Sequence, residues 1–515
     1  MKKTMRTVPE EIKLARRVST PLIAVATPDQ AGMTRNIIES FNGNAPAIVV
    51  WDAARGMTAG NEQARQMMVD KEVDGETLTH PVANLRTVLE MPPRTMCIMQ
   101  NAQDHLSDST VRQAVGNCRD VMKGNHMTLV MMVPSVNLPE SLSHDVMVIH
   151  DPLPDEKQIE AIVRETVSAA TAATAIKRPT KKNISDAVSS MKGLSSFEVE
   201  QATALTLDQL SCLDARSMFE RRNSFVENVK GLSVDRFDKT YDDIRGIERA
   251  KWFCERLFNG PESPHVILRI DELDKKLGGV EAHMERQGAT QGDELNVLLE
   301  TMEDEGWSGQ IDYGQPGSGK TMLTRTTGPT FGVQTLVLDL GGTRSKYVGE
   351  SEANVREAMR TVKAIGGSRV YVMATCNELN FKPELKRRFT DGVFFFDLPD
   401  KNERELLWAL YMKQYDIKRF ESFDDTDWKG PFNDTGWTGA EIRNACWLAY
   451  RLNIPLKEAV EEVIPIAKAD PESVTRRQRL AHNTFKSAHE AGIYRIDLTA
   501  KNSVRPSRSF KGDSE

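Results

Sequence analysis

The chain has 515 residues, 39% of them hydrophobic and 27% charged, a globular composition too long for one hydrophobic core. A formal net charge of −7 and a pI near 5.9 argue against bulk nucleic-acid binding, while leaving room for a local basic patch. Six cysteines, at 97, 118, 212, 254, 376 and 446, form no C-x-x-C pair, which speaks against a disulfide framework or zinc site and suits a reducing compartment.

Met1-Lys2-Lys3 leads into no apolar segment, and no run approaches the roughly 18 apolar residues of a membrane span. A cytoplasmic protein is expected. Residues 1–155 read as an α/β domain. Leu22–Ala26, Ala47–Trp51, Met96–Met99, Leu129–Val133 and Val146–Ile149 are short apolar runs without polar alternation. Such runs suit parallel strands covered on both faces. After the first of them, Thr27-Pro28-Asp29-Gln30-Ala31-Gly32 stands where a phosphate loop would sit, yet it holds no Gly-Lys-Ser/Thr. Gln100 to Asp104 likewise lacks an Asp-Glu pair. A non-catalytic, P-loop-like domain for assembly or recognition is expected.

Residues 156–235 read as a helical linker module. Asp155 to Ala175 is helix-compatible, Lys177 to Lys182 is a basic connector, and Ser196 is a candidate cap for a further helix. A larger α/β domain is expected over 236–398. Tyr241 to Ile247 leads into a helix from Glu248 to Leu257, and an apolar strand, His265 to Ile270, ends on Asp271-Glu272. Ligands of open α/β sheets bind at the carboxyl ends of strands, so these carboxylates suit a bound metal (Asp271) and an attacking water (Glu272). A solvated acidic turn is the alternative.

Gly314-Gln315-Pro316-Gly317-Ser318-Gly319-Lys320-Thr321 fits G-x-x-x-x-G-K-[ST]. The glycines let backbone N–H groups turn inward as an anion nest at a helix start. Lys320 reaches the β- and γ-phosphates, and the Thr321 hydroxyl ligates Mg²⁺. The strand before it, Gln310 to Tyr313, is short and polar for a central strand. Strands are then expected at Val333–Leu340, at Arg369 to Cys376 ending on Asn377, and at Val393–Phe396. A helical lid is expected over 399–470, from Asn402–Tyr415, Gly439–Leu452 and Leu456–Lys468. Residues 471–515 read as a partly disordered extension with a polar tail from Arg505.

From about residue 240 to 470 these motifs resemble an AAA ATPase, a P-loop module with a helical lid. Ser345 to Arg356 contains Lys346-Tyr347-Val348-Gly349, similar to the first pore loop of members that thread or remodel polypeptides. Thr438-Gly439-Ala440-Glu441 is similar to the lid segment that closes over nucleotide. The N-terminal unit and the tail resemble, more faintly, an uncharacterised AAA group first noticed as a plastid-encoded reading frame. The resemblance implies ATP and Mg²⁺ as cofactors, with Ile244, Gly246, Gly439, Ala440 and Gly314 to Met322 contacting the nucleotide. It implies Asn377 as sensor 1 and Arg387 or Arg388 as an arginine finger for a neighbouring subunit. It also implies a homo-oligomeric, hexameric ring acting on a protein client through Lys346, Tyr347 and Val348; the acidic balance disfavours nucleic acid as a partner without excluding it, and no membrane partner is expected. Arg443 stays unassigned.

The order of the blocks departs from the family. Asp271 comes about 50 residues before Lys320, whereas in the family the phosphate loop comes first. Exchanging 265–309 with 310–367 restores the usual order, so an internal permutation is expected. Two other readings stand beside the ring motor: a nucleotide-gated assembly scaffold with slow turnover, and a DNA-acting loader or replication ATPase.

Overall fold

The computed structural model describes residues 6–41, 45–134, 138–173, 179–207, 213–274, 290–340, 350–378, 387–417 and 433–496. The chain divides into two compact units. The first holds residues 1–233, 293–298 and 339–367; the second holds 234–292, 299–338 and 368–515.

In the first unit β1 (Leu22–Ala26), β2 (Ile48–Asp52), β3 (Gly56–Ala59), β4 (Met96–Met99), β5 (Thr128–Val133) and β6 (Met147–His150) form one sheet, ordered β3-β2-β4-β5-β1-β6. Its pairs are parallel except β2 with β3. The two-residue period sends Leu22, Ala24, Val49 and Trp51 to one core and Ile23, Val25, Ile48 and Val50 to another. Both faces are covered, which explains the unbroken apolar runs. Sequence alone does not signal β3, because Gly-Met-Thr-Ala carries little strand propensity. Asp52 sets the turn into it by accepting from the amides of Ala54 (3.0 Å) and Arg55 (2.8 Å).

The expected helical module follows as Glu156–Ala173, Lys181–Ser190, Ser196–Thr206 and Ala215–Val226, packed around Ile159, Val163, Val188, Met191 and Val199. Its third cap is Ser195, not Ser196. The Ser195 hydroxyl accepts from Glu198 N, and the Glu198 carboxylate accepts from Ser195 N at 2.7 Å, a reciprocal capping box.

The second unit is built on β8 (Val266–Ile270), β9 (Ser308–Gly314), β10 (Gln334–Leu338), β11 (Val370–Cys376), β12 (Gly392–Phe396) and the short β13 (Lys486–Ser487). Their order is β13-β12-β9-β11-β8-β10, and every pair is parallel. β7 (Leu232–Val234) lies where the chain passes from the first unit into the second. Helices Glu248–Phe258 and Lys320–Phe331 share one core with Ile267, Tyr371, Met373, Phe394 and Phe396.

β9 corrects the expectation of a short, weak strand. It runs seven residues, six of them buried, and lies between β12 and β11. Its polar residues are met in part: Gln310 Nε2 donates to Asp312 Oδ1 at 2.7 Å and the Tyr371 hydroxyl donates to Gln310 Oε1 at 3.0 Å, while Asp312 Oδ2 is buried with no partner among the described residues. Burial pushes the Asp312 carboxyl up to about 8, against the pull of Gln310 and Lys320.

The lid forms as Lys401–Gln414, Gly439–Leu452, Leu456–Glu461 and Ile466–Ala469 around Trp408, Trp437, Ile442 and Cys446. The single helix expected over Leu456–Lys468 is broken in two. Pro465 cannot donate an amide to the preceding turn and instead starts the second piece. Beyond it, helix Pro471–Ala481 and β13 belong to the second unit. The tail from Arg505 lies outside the described residues. Among the described residues no helix is long and apolar enough to cross a membrane.

Asp312 generates a test. A carboxyl whose folded value is raised is held protonated by the fold, while the unfolded group ionises near pH 4. Stability should therefore fall as pH rises from about 4 toward 8. Asp312→Asn removes this dependence, and thermal melts should show a gain of roughly 1–3 kcal/mol at pH 8 and less at pH 5. Equal shifts at the two pH values would contradict it.

Candidate functional site

Parallel strands end on the same edge of a sheet, and here β9, β11 and β8 stand side by side. β9 ends at Gly314, and the loop 315–319 turns into helix Lys320–Phe331. Gly317 (φ +80°) and Gly319 (φ +100°) adopt backbone that L side chains rarely tolerate. A Cβ on Gly317 would also lie 2.8 Å from Ala440 Cβ and 2.9 Å from Thr438 Oγ1. Lys320 is buried, and its ammonium donates to the carbonyls of Gly314 (3.0 Å) and Gln315 (2.6 Å). Burial lowers it to about 8, although Cys376 and Asp312 pull the other way.

Register brings the carboxylate strand to this loop. Ala374 of β11 pairs with Ile270 of β8, which sets Thr375 beside Asp271. The Thr375 hydroxyl accepts from Glu272 N at 3.0 Å and lies 3.4 Å from Asp271 Oδ1. Glu272 has φ +52°, a left-handed conformation uncommon for this residue, and is exposed into the pocket. Asp271 Oδ2 lies 2.8 Å from Arg269 Nη1, and Arg269 in turn meets the buried Asp235 at 3.1 Å. Burial raises Asp271, against the charge of Arg269. Asn377 follows β11, its amide held by Asp274 Oδ1 at 3.1 Å.

The lid closes the other side. Thr438 caps helix Gly439–Leu452 in a box with Glu441, and Ala440 N donates to Gly317 O at 3.3 Å. One pocket of about 290 Å³ is lined by Ile244, Gly246, Glu272, Pro316 to Met322, Asn377, Gly439 and Ala440. Thr321 is exposed there, and Arg443 lines it too. Gly314, Gln315 and Asp271 stand outside this lining. Arg387 is exposed, whereas Arg388 is half-buried and ion-paired with Glu303. Lys346, Tyr347 and Val348 lie outside the described residues.

Two residues at the site carry no motif. Arg477, on helix Pro471–Ala481, is 5% exposed. Its guanidinium donates to Asn377 O (2.8 Å), Gln315 Oε1 (2.9 Å) and Glu378 Oε1 (2.6 Å). It fastens the first side chain of the phosphate loop to the end of β11. His489, just past β13, lines the pocket and meets the Glu403 carboxylate at 2.8 Å. The available signal was the spacing of Val474, Arg477 and Ala481, which marks a buried helix face.

The donor set fits a nucleoside triphosphate with its divalent cation: glycine amides and a lysine for phosphates, a hydroxyl and a carboxylate for metal, and an apolar end at Ile244, Ile247 and Leu407. Residues 8–150 match the family described as SpoVK-like AAA ATPase, N-terminal domain, and residues 311–373 match the ATPase family associated with various cellular activities (AAA). The second match holds the phosphate loop and does not include Asp271 and Glu272. The chain is 20% identical to the uncharacterized AAA domain-containing protein ycf46 of Guillardia theta, over 92% of this chain and 94% of that one. It is 19% identical to ycf46 of Pyropia yezoensis, over 92% and 97%. A stretch covering 27% of this chain and 19% of the relative is 26% identical to the vesicular-fusion protein SEC18 of Candida albicans. The protein carries AAA ATPase family domains, an SpoVK-like N-terminal domain and the ATPase domain that contains the phosphate loop.

Proposed function

We propose that this protein hydrolyses ATP and uses the cycle, as a homo-oligomeric ring, to remodel or thread a protein client. One observation carries the hydrolytic part: Glu272 and Asn377 share a pocket with Lys320 and Thr321, although their strands are scattered along the chain. In this reading the amides of the loop and Lys320 bind the phosphates. Thr321 and Asp271 would hold Mg²⁺, which supplies neutralisation of phosphate charge. Glu272 takes the proton of the attacking water, and Asn377 orients that water. The sheet order supports reading the early β8 block as a permutation, since β8 has β11 and β10 as neighbours despite preceding β9 in the chain.

Arg388 is engaged by Glu303 of its own chain, which favours the exposed Arg387 as the finger offered to a neighbouring subunit. In the N-terminal domain, Asp29 Oδ1 accepts from Gly32 N at 2.8 Å. That carboxylate covers the helix N-terminus where a phosphate would bind, in line with a non-catalytic role for residues 1–155. The boundaries at 156–235, 236–398, 399–470 and 471–515, and the cytoplasmic location, belong to the same proposal. The likeness to the vesicular-fusion protein SEC18 supports a protein client. One contact favours the second reading, a scaffold with slow turnover: Arg269 already sits on the carboxylate that Mg²⁺ would approach.

Nucleotide binding and steady-state ATPase test the assignment together. Lys320→Ala should abolish binding, and Glu272→Gln should retain it while turnover falls about 10²-fold or more. Wild-type turnover in Glu272→Gln would remove β8 from the chemistry.

Arg477→Ala should leave nucleotide affinity within a few-fold and lower kcat about tenfold or more, because the loop and Asn377 lose their common tether. Arg477→Lys, whose single nitrogen cannot span the acceptors met by Nε, Nη1 and Nη2, should not restore it. An unchanged kcat would reduce Arg477 to a packing role.

Tyr347→Ala should leave the melting temperature and basal ATPase nearly unchanged and abolish stimulation by an unfolded protein. A large loss of thermal stability would instead make Tyr347 a packing residue.

A further inference from the structure

The pocket has a polar group far from any motif, on the segment that follows the lid in sequence. His489 is fixed by its neighbours. Ala488 N donates to Phe395 O (3.0 Å), Ala250 N donates to Ala488 O (3.0 Å), and His489 N donates to Ser487 Oγ (3.2 Å). Its Nδ1 lies 2.8 Å from both oxygens of Glu403. That carboxylate also accepts from Ile247 N (3.0 Å) and Asp400 N (3.1 Å). Burial would raise Glu403, but the hydrogen bond and charge of His489 and the two amides hold it below its ordinary value.

An ionised carboxylate only accepts, so Nδ1 must carry a proton. The opposite nitrogen, Nε2, is buried and has no hydrogen-bond partner among the described residues. A buried imidazole nitrogen without a partner costs free energy unless something else supplies one. The ring lines the pocket along with Ile244, Ile247, Leu407 and Tyr411. Glu403, Leu407 and Tyr411 recur every four residues on helix Lys401–Gln414, so they share one helix face. Apolar surface with one unpaired hydrogen-bonding atom suits a flat heterocycle, not a phosphate.

We propose that His489, oriented by Glu403, reads the hydrogen-bonding edge of the nucleotide base and selects adenine over guanine. With the proton on Nδ1, Nε2 accepts a hydrogen bond. Adenine offers an exocyclic amine at C6, where guanine presents a carbonyl oxygen that cannot donate. This rests on the reading of the pocket as a nucleotide site. A second proton on the ring would turn Nε2 into a donor and suit the guanine carbonyl instead. Burial would lower the imidazole, yet Glu403, Asp397 and Asp400 raise it above the ordinary value. The cations lining the same pocket are Lys320, Arg245 and Arg443, and Tyr411 brings a phenol.

The test compares ADP with GDP, whose identical phosphates cancel the contribution of the loop, by equilibrium binding to the full-length protein. Once pH is high enough for the imidazole to have lost its second proton, wild type should prefer ADP, and His489→Leu should shrink that preference about tenfold. Glu403→Gln, which keeps the helix cap but releases the ring, should shrink it as well. In wild type the preference should grow from pH 6 to pH 9 as the imidazole loses its second proton. A preference unchanged in both variants, or flat across that pH range, overturns the inference, and the pH series decides even if His489→Leu does not fold. Failure of wild type to bind either nucleotide overturns the pocket assignment itself, and this inference with it.

Discussion

The shared direction of β12, β9, β11, β8 and β10 is the constraint on which the site depends. Neighbouring strands lie about 4.8 Å apart, so the carboxyl ends of three adjacent parallel strands fall within reach of one small ligand. Gly314 is such an end, and Asn377 and Glu272 follow the ends of β11 and β8. None of this requires a particular order along the chain, because parallel strands are joined by crossovers that run back over the sheet. A carboxylate strand that comes before the phosphate-loop strand therefore still arrives beside β11, with Thr375 bonded to Glu272. Geometry at the edge is conserved by the sheet, not by the succession of motifs.

A segment that follows this sheet's long strands in sequence holds the edge in place. Residues 471–496 add β13 to β12, and from it Arg477 and His489 reach back to the site. A buried guanidinium is costly unless its donors are met, and Arg477 finds acceptors on the phosphate loop, on Asn377 and on Glu378. Gln315 is consequently fixed through its side chain, leaving its carbonyl to accept from Lys320. Removing helix Pro471–Ala481 would expose more than a surface: it would leave Gln315 buried without its partner.

Much of the site was legible in the sequence for a physical reason. Phosphate binding needs glycine backbone, so Gly317 and Gly319 betray their positive φ by residue type alone. The longer strands of both sheets, β9 apart, showed as apolar runs because both faces are covered, whereas β3, β7 and β13 did not, and β9 misled through its polar residues. Its Gln310 looks like a surface residue until Tyr371, 61 positions away in the chain, donates to it. Arg477 and His489 were illegible because their meaning lies in partners about 90 to 160 residues distant. Local pattern identifies Pro471–Ala481 as a helix but cannot say what its buried face touches. The break at Pro465 was, by contrast, written in the sequence.

Electrostatics at the edge follows from this packing. Lys320 and Asp312 are both buried, each shifted toward its neutral form, and each acts on the other with the opposite sign. A lysine lowered to about 8 still carries most of its charge at neutral pH, and an approaching phosphate would raise it again. The ammonium meanwhile bonds to Gly314 and Gln315, so it is aimed before any anion arrives. Asp271 is treated differently: its charge is answered by Arg269, which is itself committed to Asp235. A cation entering there must compete with a guanidinium already anchored on its far side. In the proposed nucleotide reading the site would thus be set for phosphate and restrained toward metal, an asymmetry that comes from Arg269 within β8 and not from any of the recognised motifs.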